Sequence, residues 1–312
     1  MDTIDSPRGL KQPAKPSGFD SKPNARATLF GIGMVVLTSA MWTASDGAAQ
    51  WLTRTLPPLE VTWVRYVVHV LVLFPWLRGG IRTALRTQHL KFQVLRGVFS
   101  AFSAITFIIG LNLIPIAEAT AITFVAPFVI MGLAALLLHE KVELRRWLAA
   151  GVGLAGVLVI VQPGGHAFHW SALLPLLAAI LGASAIVTTR LMPHDDAKVT
   201  MVYTGFVGLI ILSVLVPFQW VTPSSTDMIV GAAVGLFGAA ANLIQITVYR
   251  QLPASLLAPF SYSQLVWASL FGFAVFGVWP TFTTLSGAAI IAVSGLYSAW
   301  RERQAASASP SA

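Results

Sequence analysis

The chain has 312 residues, of which 56% are hydrophobic and only 10% are charged, and its mean hydropathy is +0.75. Soluble domains carry about 25% charged residues, so this composition excludes a soluble globular protein and indicates an integral membrane protein. The chain contains no cysteine, which excludes disulfides, thiol nucleophiles and thiolate metal sites.

Ten apolar runs follow one another along the chain, each suited to crossing a hydrocarbon layer of about 30 Å as a helix. The predicted spans are residues 29–51, 57–77, 92–112, 116–138, 147–162, 170–189, 198–218, 227–248, 255–277 and 282–300. The polar ends, residues 1–27 and 301–312, are predicted to be disordered tails. The sequence therefore predicts an all-α membrane protein of ten transmembrane helices without a soluble domain.

The basic residues indicate the orientation of these spans. If the N-terminus is cytoplasmic, seventeen of the twenty Lys and Arg residues fall on the cytoplasmic side: five in the N-terminal tail, ten around the loops and two in the C-terminal tail. Only Arg54 lies in an outer loop, as the positive-inside rule expects. The net charge of +8 thus reflects topology, and no nucleic-acid partner is expected. Both termini are predicted to be cytoplasmic, with the spans in the inner membrane.

The first two spans carry opposite charges at similar depth. Asp46 is predicted to lie about 8 Å below the outer end of span 1, and Arg65 about 4 Å deeper in span 2. Each group would offset much of the cost of placing the other in the membrane, so we expect them to pair directly or through a water. Alternatively, Asp46 is only hydrated from the outer side. His69 shares a face with Arg65 and is either a proton-sensing group or a structural histidine.

Two further residues in the first three spans allow more than one interpretation. Trp42 lies one helical turn from Asp46 on the same face, where its ring either stacks on an aromatic substrate or fills core volume. Arg96 lies about one turn from the inner end of span 3, and we expect its side chain to snorkel to the lipid headgroups.

Glycines in spans 5 and 8 are interpreted as helix-packing residues. The segment GVGLAG, Gly151 to Gly156, has the spacing of a dinucleotide-binding loop, but it lies inside an apolar helix with no preceding strand. Close helix packing explains it better. Gly231 and Gly235 of span 8 have the spacing of a close-packed pair.

Polar residues in spans 8 and 9 recur at helical spacing. Asn242 and Gln245 lie on one face of span 8, and Gln264 and Trp267 are placed on one face of span 9 with Tyr262 nearby. Amide groups rarely face lipid, so these residues are expected either to line a cavity or to bond between helices.

The two halves of the chain repeat a pattern at a separation of 138 residues, which aligns Pro115 with Pro253. Each half, residues 29–162 and 170–300, then holds five helices. Because five is odd, the second half enters the membrane in the opposite sense and forms an inverted repeat. This geometry favours alternating access, and the alternative is an old duplication retained only for packing.

Several segments resemble the drug/metabolite transporter superfamily, specifically its EamA-type ten-helix members. They are LPPLEVTWVRYVVHVLVLFPWL at span 2, IPIAEATAITFVAPF at span 4 and LHEKVELRRWLAAGVGLAGVLVI at span 5. Within that family, WVTPSS before span 8 and APFSYSQLVWASLFGFAVFG in span 9 are similar to a branch containing riboflavin importers and S-adenosylmethionine carriers. Relatives in the same branch export amino acids or metal-chelating metabolites.

The resemblance implies a secondary transporter for a small organic metabolite, with riboflavin uptake as the leading substrate. Alternatives are an S-adenosylmethionine carrier, an exporter of amino acids or a metallophore, and a non-transporting scaffold or intramembrane enzyme. The absence of GxxxxGK[ST], HExxH and GxSxG motifs argues against an ATP-driven pump or a hydrolase, and neither a cofactor nor a metal is expected. The predicted substrate-binding residues are Trp42, Asp46, Arg65, Asn242, Gln245, Tyr262, Gln264 and Trp267, with Asp46 and His69 as possible coupling groups. Oligomeric state and direction of transport stay open.

Overall fold

The computed structural model describes residues 25–77, 86–137, 144–162, 169–192, 195–251, 257 and 260–308. Within these ranges the ordered elements are all helical, with no β-strand. Most of the predicted N-terminal tail, residues 1–24, and the start of the ninth predicted span at residues 255–256 lie outside the described residues.

Eleven α-helices occur in the described part of the chain. They are α1 (Ala25–Leu52), α2 (Pro58–Leu77), α3 (Leu90–Leu113), α4 (Ile116–Thr123), α5 (Ala126–Leu137), α6 (Leu144–Val161), α7 (Leu173–Arg190), α8 (Ala197–Leu215), α9 (Ser225–Gln251), α10 (Ser263–Phe276) and α11 (Phe282–Ala308). Helices α4 and α5 together form the fourth predicted span, which is broken at Phe124 and Val125. Helix α11 continues through residues 301–308, which were expected to be part of a disordered tail.

The lengths and composition of the helices fit a membrane protein. Among the described residues, six helical segments are long and apolar enough to cross a bilayer, and they lie in α1, α3, α4 with α5, α7, α8 and α9. Three shorter apolar helices lie in α6, α10 and α11. Helix α2 carries Glu60 and Arg65 and packs against α8 and α9. The predicted all-α membrane fold is confirmed.

Contacts between the two halves occur in matching pairs. Helix α3 packs against α7 as α9 packs against α1, and α3 packs against α8 as α9 packs against α2. Likewise, α1 contacts α10 as α7 contacts α5, and the last helices of the halves, α6 and α11, contact each other. This is the arrangement of two five-helix repeats. Because each repeat has an odd number of spans, the second repeat crosses the membrane in the opposite sense to the first.

Glycines allow the repeats to approach closely. A Cβ added at Gly235 of α9 would lie 2.2 Å from Cβ of Val68 in α2, and a Cβ at Gly97 of α3 would lie 2.7 Å from Cβ of Val207 in α8. These contacts occupy the two matching helix pairs, α9 with α2 and α3 with α8. The small side chain is therefore required for the same type of contact in both halves.

The other predicted glycine contacts are also present. A Cβ at Gly231 would lie 2.8 Å from Cγ1 of Val64, so Gly231 and Gly235 both face α2. A Cβ at Gly156 would lie 2.8 Å from the carbonyl oxygen of Gly287, which places GVGLAG against α11. Both glycine segments are thus helix-packing segments, as predicted.

Because the chain reverses between successive spans, α1 begins and α11 ends at the same face of the bundle, which we term the terminal face. The other face is termed the opposite face. The largest buried apolar cluster lies in the half of the bundle nearer the opposite face, where it includes Leu52, Val61 and Leu111. This cluster forms the apolar core of the bundle on that side.

Hydrogen bonds to a carboxylate join the repeats at each face. At the opposite face, the Thr55 hydroxyl donates a hydrogen bond of 2.7 Å to Oδ1 of Asp227. At the terminal face, the Thr87 hydroxyl donates a bond of 2.5 Å to Oδ2 of Asp195, and Nε2 of Gln93 donates to the same oxygen at 2.8 Å. In each contact, the loop between the first two helices of one repeat meets the start of the third helix of the other repeat. We refer to them as the opposite-face contact and the terminal-face contact.

Candidate functional site

A central cavity of about 440 Å³ lies between the two repeats. Helices α1, α2 and α3 of the first repeat and α7, α8, α9 and α10 of the second contribute side chains to its wall. The volume falls in the range of about 300–1,000 Å³ that is typical of small-molecule sites. Of the predicted site residues, Trp42, Asp46, Arg65, His69, Asn242 and Gln264 line this cavity.

Asp46 and Arg65 form an ion pair in the cavity wall. Nη1 of Arg65 lies 3.1 Å from Oδ1 of Asp46, and Asp46 is only 5% exposed. A buried charge is costly unless it is paired and hydrogen-bonded, and here each group supplies the partner of the other. The predicted pairing of these two residues is confirmed.

Helix α9 leaves room for the Arg65 guanidinium. A Cβ added at Gly238 would lie 3.6 Å from Nε of Arg65, so the side chain passes over a glycine. Beside it, the Ser45 hydroxyl donates a hydrogen bond of 2.8 Å to the backbone oxygen of Val234. The contact between α1 and α9 therefore holds Asp46 and Arg65 at the boundary between the repeats.

Trp42 stacks on the paired arginine. Cζ of Arg65 lies 5.2 Å from the centroid of the Trp42 ring, within the range of a cation–π interaction. On its other side, Nε1 of Trp42 donates a hydrogen bond of 3.4 Å to Oε1 of Gln245. Gln245, which was predicted to contact substrate, therefore bonds to the edge of the Trp42 ring and is not among the residues that line the cavity.

Two predicted residues of the ninth span lie outside the cavity. The ring of Tyr262 stacks on Phe124, with centroids 4.9 Å apart, and belongs to the apolar core. Trp267 is 37% exposed on the surface of the bundle. Gln264 does face the cavity, and a shift of three residues turns Trp267 by about 60° away from that face. The sequence spacing alone did not determine how α10 is rotated.

Arg96 also lines the cavity, which contradicts the prediction that it snorkels to the headgroups. Its Nε donates a hydrogen bond of 2.8 Å to Oγ1 of Thr189, and Nη1 donates to Oγ1 of Thr204. The cause is packing, since α7 and α8 both cover α3 and place the side chain between helices. Inspection of the sequence could have found this face, because Ser100 and Ser103 follow Arg96 at spacings of four and three and also line the cavity.

His69 presents an unsatisfied nitrogen at the cavity. Its Nε2 is buried and has no hydrogen-bond partner among the described residues. The ring lies near Tyr66, with centroids 6.5 Å apart. Arg65 and His69 both line the cavity, as expected for residues four apart on one helix. Because Nε2 is buried, a ligand would reach it only after a neighbouring side chain moved, and the role of His69 in coupling stays a prediction.

A second cavity of about 320 Å³ lies near the opposite face. Arg54, Glu118 and Trp279 are among the residues that line it, and so is Gln50, one helical turn beyond Asp46 on α1. Nε2 of Gln50 donates to the backbone oxygens of Leu111 at 2.7 Å and Ile114 at 2.9 Å. Gln50 therefore ties α1 to the end of α3 between the two cavities.

Comparison with known proteins gives consistent results over most of the chain. The EamA-like transporter family matches residues 29–162 and again residues 169–299. The S-adenosylmethionine uptake transporter of Rickettsia felis is 26% identical over 280 residues, covering 89% of this chain and 95% of that protein.

Two riboflavin transporters are also similar to this chain. The protein of Brucella anthropi is 30% identical over 277 residues, covering 85% of this chain and 96% of the relative. That of Vibrio cholerae is 30% identical over 289 residues, covering 83% and 91%. A solved crystal structure shares the fold with a TM-score of 0.61 at 20% identity, covering 90% of this chain and 99% of its own.

Proposed function

We propose that this chain, which belongs to the EamA-like transporter family, carries a small organic metabolite across the inner membrane by alternating access. The central cavity is the substrate site. The observation that carries this proposal is the position of the cavity between the repeats, with the Asp46–Arg65 pair and Trp42 in its wall. The family and the named relatives are transporters, which favours a carrier over a scaffold or an enzyme.

Alternating access requires that the repeats separate at one face while they stay closed at the other. The opposite-face contact of Thr55 with Asp227 and the terminal-face contact of Thr87 with Asp195 are suited to this. Each is a hydrogen bond from a threonine hydroxyl to a carboxylate. A single bond of this kind can form and break during a transport cycle.

The distribution of basic residues supports a cytoplasmic terminal face. Arg54, the one basic residue predicted in an outer loop, lines the second cavity near the opposite face. In this orientation the second cavity is an external vestibule. The apolar cluster near the opposite face, with Leu52 and Leu111, separates the central cavity from the external solution.

Riboflavin uptake is the substrate assignment that we favour. Riboflavin is a flat heterocycle with carbonyl oxygens and ring nitrogens along its edge. The Trp42 ring can stack on such a heterocycle, Asn242 and Gln264 supply amide donors and acceptors, and Arg65 supplies further N–H donors. The relatives at 30% identity are riboflavin transporters, which supports the same assignment.

S-adenosylmethionine uptake is the second candidate. Relatives at 26% and 27% identity are S-adenosylmethionine uptake transporters, and the buried carboxylate of Asp46 is a group that could attract a cation. However, Arg65 already pairs with that carboxylate. Export of an amino acid or a metallophore is a third possibility within the same fold.

Uptake into lipid vesicles tests the proposal. We expect vesicles that contain the purified protein to accumulate labelled riboflavin faster than empty vesicles, and excess unlabelled riboflavin to compete. Faster uptake of S-adenosylmethionine instead would support the second candidate. If neither compound nor any amino acid crosses faster than in empty vesicles, the carrier proposal is wrong.

Direction can be tested in a bacterial strain that cannot synthesise riboflavin. An importer restores growth at low external riboflavin, whereas an exporter does not. A vector without the gene is the control, and a variant with Arg65→Gln should restore growth less well because the Asp46 partner is removed.

A further inference from the structure

The central cavity contains two guanidinium groups but only one carboxylate among the described residues that line it. Arg65 is paired with Asp46 at 3.1 Å, whereas Arg96 bonds to the neutral hydroxyls of Thr189 and Thr204. In the part of the chain that the structure describes, no carboxylate lies within ion-pair distance of Arg96. With Asp46 ionised, these three charged groups leave the cavity with one excess positive charge.

The position of Arg96 makes this excess charge significant. Arg96 lies six residues after Leu90, the first residue of α3, or about 9 Å along the helix axis. Charges interact more strongly in a partly buried site than in water because the effective dielectric constant is lower. A charged molecule in the cavity therefore experiences the field of Arg96 with little screening.

The Arg96 guanidinium also retains donors for a ligand. Nε and Nη1 bond to the two threonines, but Nη2 makes no hydrogen bond to any residue within the described ranges. Guanidinium groups present five N–H donors and no acceptor. The group is thus suited to carbonyl, carboxylate or phosphate oxygens and repels cationic groups.

We propose that Arg96 sets the charge selectivity of the cavity, so that it accepts neutral or anionic metabolites with oxygen acceptors and rejects cations. This inference rests on the proposed function of the cavity as the transport site, and it narrows the substrate class. Riboflavin is uncharged and presents carbonyl oxygens, which fits. S-adenosylmethionine carries a carboxylate, but its sulfonium and ammonium groups give it a net positive charge, which the excess positive charge of the cavity would disfavour.

Cysteine labelling measures the potential in the cavity directly. The natural chain contains no cysteine, so a single introduced thiol needs no altered background. Ser100 lines the cavity one helical turn from Arg96. The Ser100→Cys variant would be reacted with an anionic and a cationic methanethiosulfonate of similar size, and the ratio of the two rates compared with that of a free thiol in solution.

We expect the anionic reagent to be favoured in the Ser100→Cys variant relative to the free thiol. Adding Arg96→Gln should lower the anion-to-cation rate ratio by about tenfold, as expected for loss of a nearby charge at intermediate dielectric, whereas Arg96→Lys should keep it. Adding Asp46→Asn should raise the ratio. The matched control is Thr53→Cys, since Thr53 lines the second cavity, where Arg96→Gln should leave the ratio unchanged.

Other outcomes would overturn the inference. If Arg96→Gln leaves the anion-to-cation rate ratio unchanged, Arg96 does not control the potential in the cavity. If the thiol at position 100 gives no more labelling than the cysteine-free chain, the cavity is closed to ions. If the Arg96→Gln variant does not fold, the Ser100→Cys variant alone still tests the inference. An anion-to-cation rate ratio no higher than that of the free thiol would reject the proposal that Arg96 sets the charge selectivity. These readouts need no substrate, so a failure of riboflavin uptake contradicts the proposed function separately.

Discussion

Asp46 Oδ1 and Arg65 Nη1 lie 3.1 Å apart inside the bundle, and the ring of Trp42 covers the same guanidinium. Removal of either charged partner would leave the other buried without its counter-charge. Such a loss costs about 3–5 kcal/mol, more than the net contribution of the intact pair.

The first prediction concerns this pair. Asp46→Asn and Arg65→Gln should each reduce uptake more than tenfold, and the double variant should be no worse than the worse single variant, because the two changes remove one interaction. Initial uptake rates in vesicles at matched protein content measure this. Losses that add fully would contradict a functional pair.

The second prediction compares two tryptophans. Trp42→Phe should lower the apparent affinity for riboflavin about tenfold, since a smaller ring gives up stacking area and weakens the cation–π contact, a combined loss of about 1–2 kcal/mol. Trp267→Phe, on the surface of the bundle, should stay within about twofold of the unchanged protein. Gln245→Ala should resemble Trp42→Phe in direction, because Trp42 loses its hydrogen-bond partner. Equal effects at positions 42 and 267 would argue against substrate stacking on Trp42.

The third prediction concerns the contacts at the two faces, with the Ser100→Cys variant as the reporter. Adding Asp195→Asn weakens the terminal-face contact and should speed labelling of the thiol at position 100 by an impermeant reagent applied at that face. Adding Asp227→Asn weakens the opposite-face contact and should slow the same reaction by favouring the state open to the other side. We expect each change in labelling rate to be about tenfold, because a hydrogen bond to a charged group is lost. Changes of the same sign in both variants would contradict alternating access through these contacts.

The fourth prediction is the pH dependence of the terminal-face contact. Burial acts to raise the pKa of Asp195, but hydrogen bonds from Thr87 and Gln93, together with the nearby His89 ring, outweigh it, so the pKa lies below its ordinary value. The stabilisation is therefore fully present above the ordinary aspartate pKa of about 3.9 and is lost as pH falls through the lower pKa of the folded protein. The difference in melting temperature between the unchanged protein and Asp195→Asn should persist at neutral pH and vanish in acid. A difference that grows as pH falls would contradict this assignment.

The fifth prediction concerns the contact between α2 and α9. Gly235→Ala should destabilise the fold by about 1–3 kcal/mol, because the new Cβ would lie 2.2 Å from Cβ of Val68 and force the helices apart. The matched control is Gly151→Ala, where nothing lies within 4 Å of the new Cβ, so stability should be equal or slightly higher. Thermal unfolding in detergent compares the two. A similar loss at both positions would contradict this assignment, because the change from Gly to Ala by itself favours the helix.

Hydropathy and charge were sufficient to predict the spans and the main ion pair. A hydrocarbon layer requires long apolar helices with satisfied backbone groups, and it leaves few partners for a buried Asp46 other than Arg65. The break of the fourth span at Phe124 and Val125 was not predicted. Its sequence signal is Pro127, which cannot donate a backbone hydrogen bond to the preceding helical turn.

The rotation of a helix about its axis was harder to predict from the sequence. Arg96 was assigned to the headgroups because its depth was known but its face was not, and Trp267 was assigned to the cavity for the same reason. In a membrane, apolar residues face both lipid and protein, so hydropathy does not separate the two sides of a helix. Contacts such as those of α3 with α7 and α8 decide the rotation, and these depend on the whole fold.

The matching contacts of the repeats have a structural consequence for the transport cycle. Because α3 contacts α7 as α9 contacts α1, each half has the conformation that the other half would adopt in the second end state of the proposed cycle. Interchanging the conformations of the two halves, without changing the sequence, would therefore generate the second end state. The contact between residues 55 and 227 exchanges places with the contact between residues 195 and 87 in that interchange. In the proposed cycle, one of these two distances is therefore expected to lengthen while the other stays short.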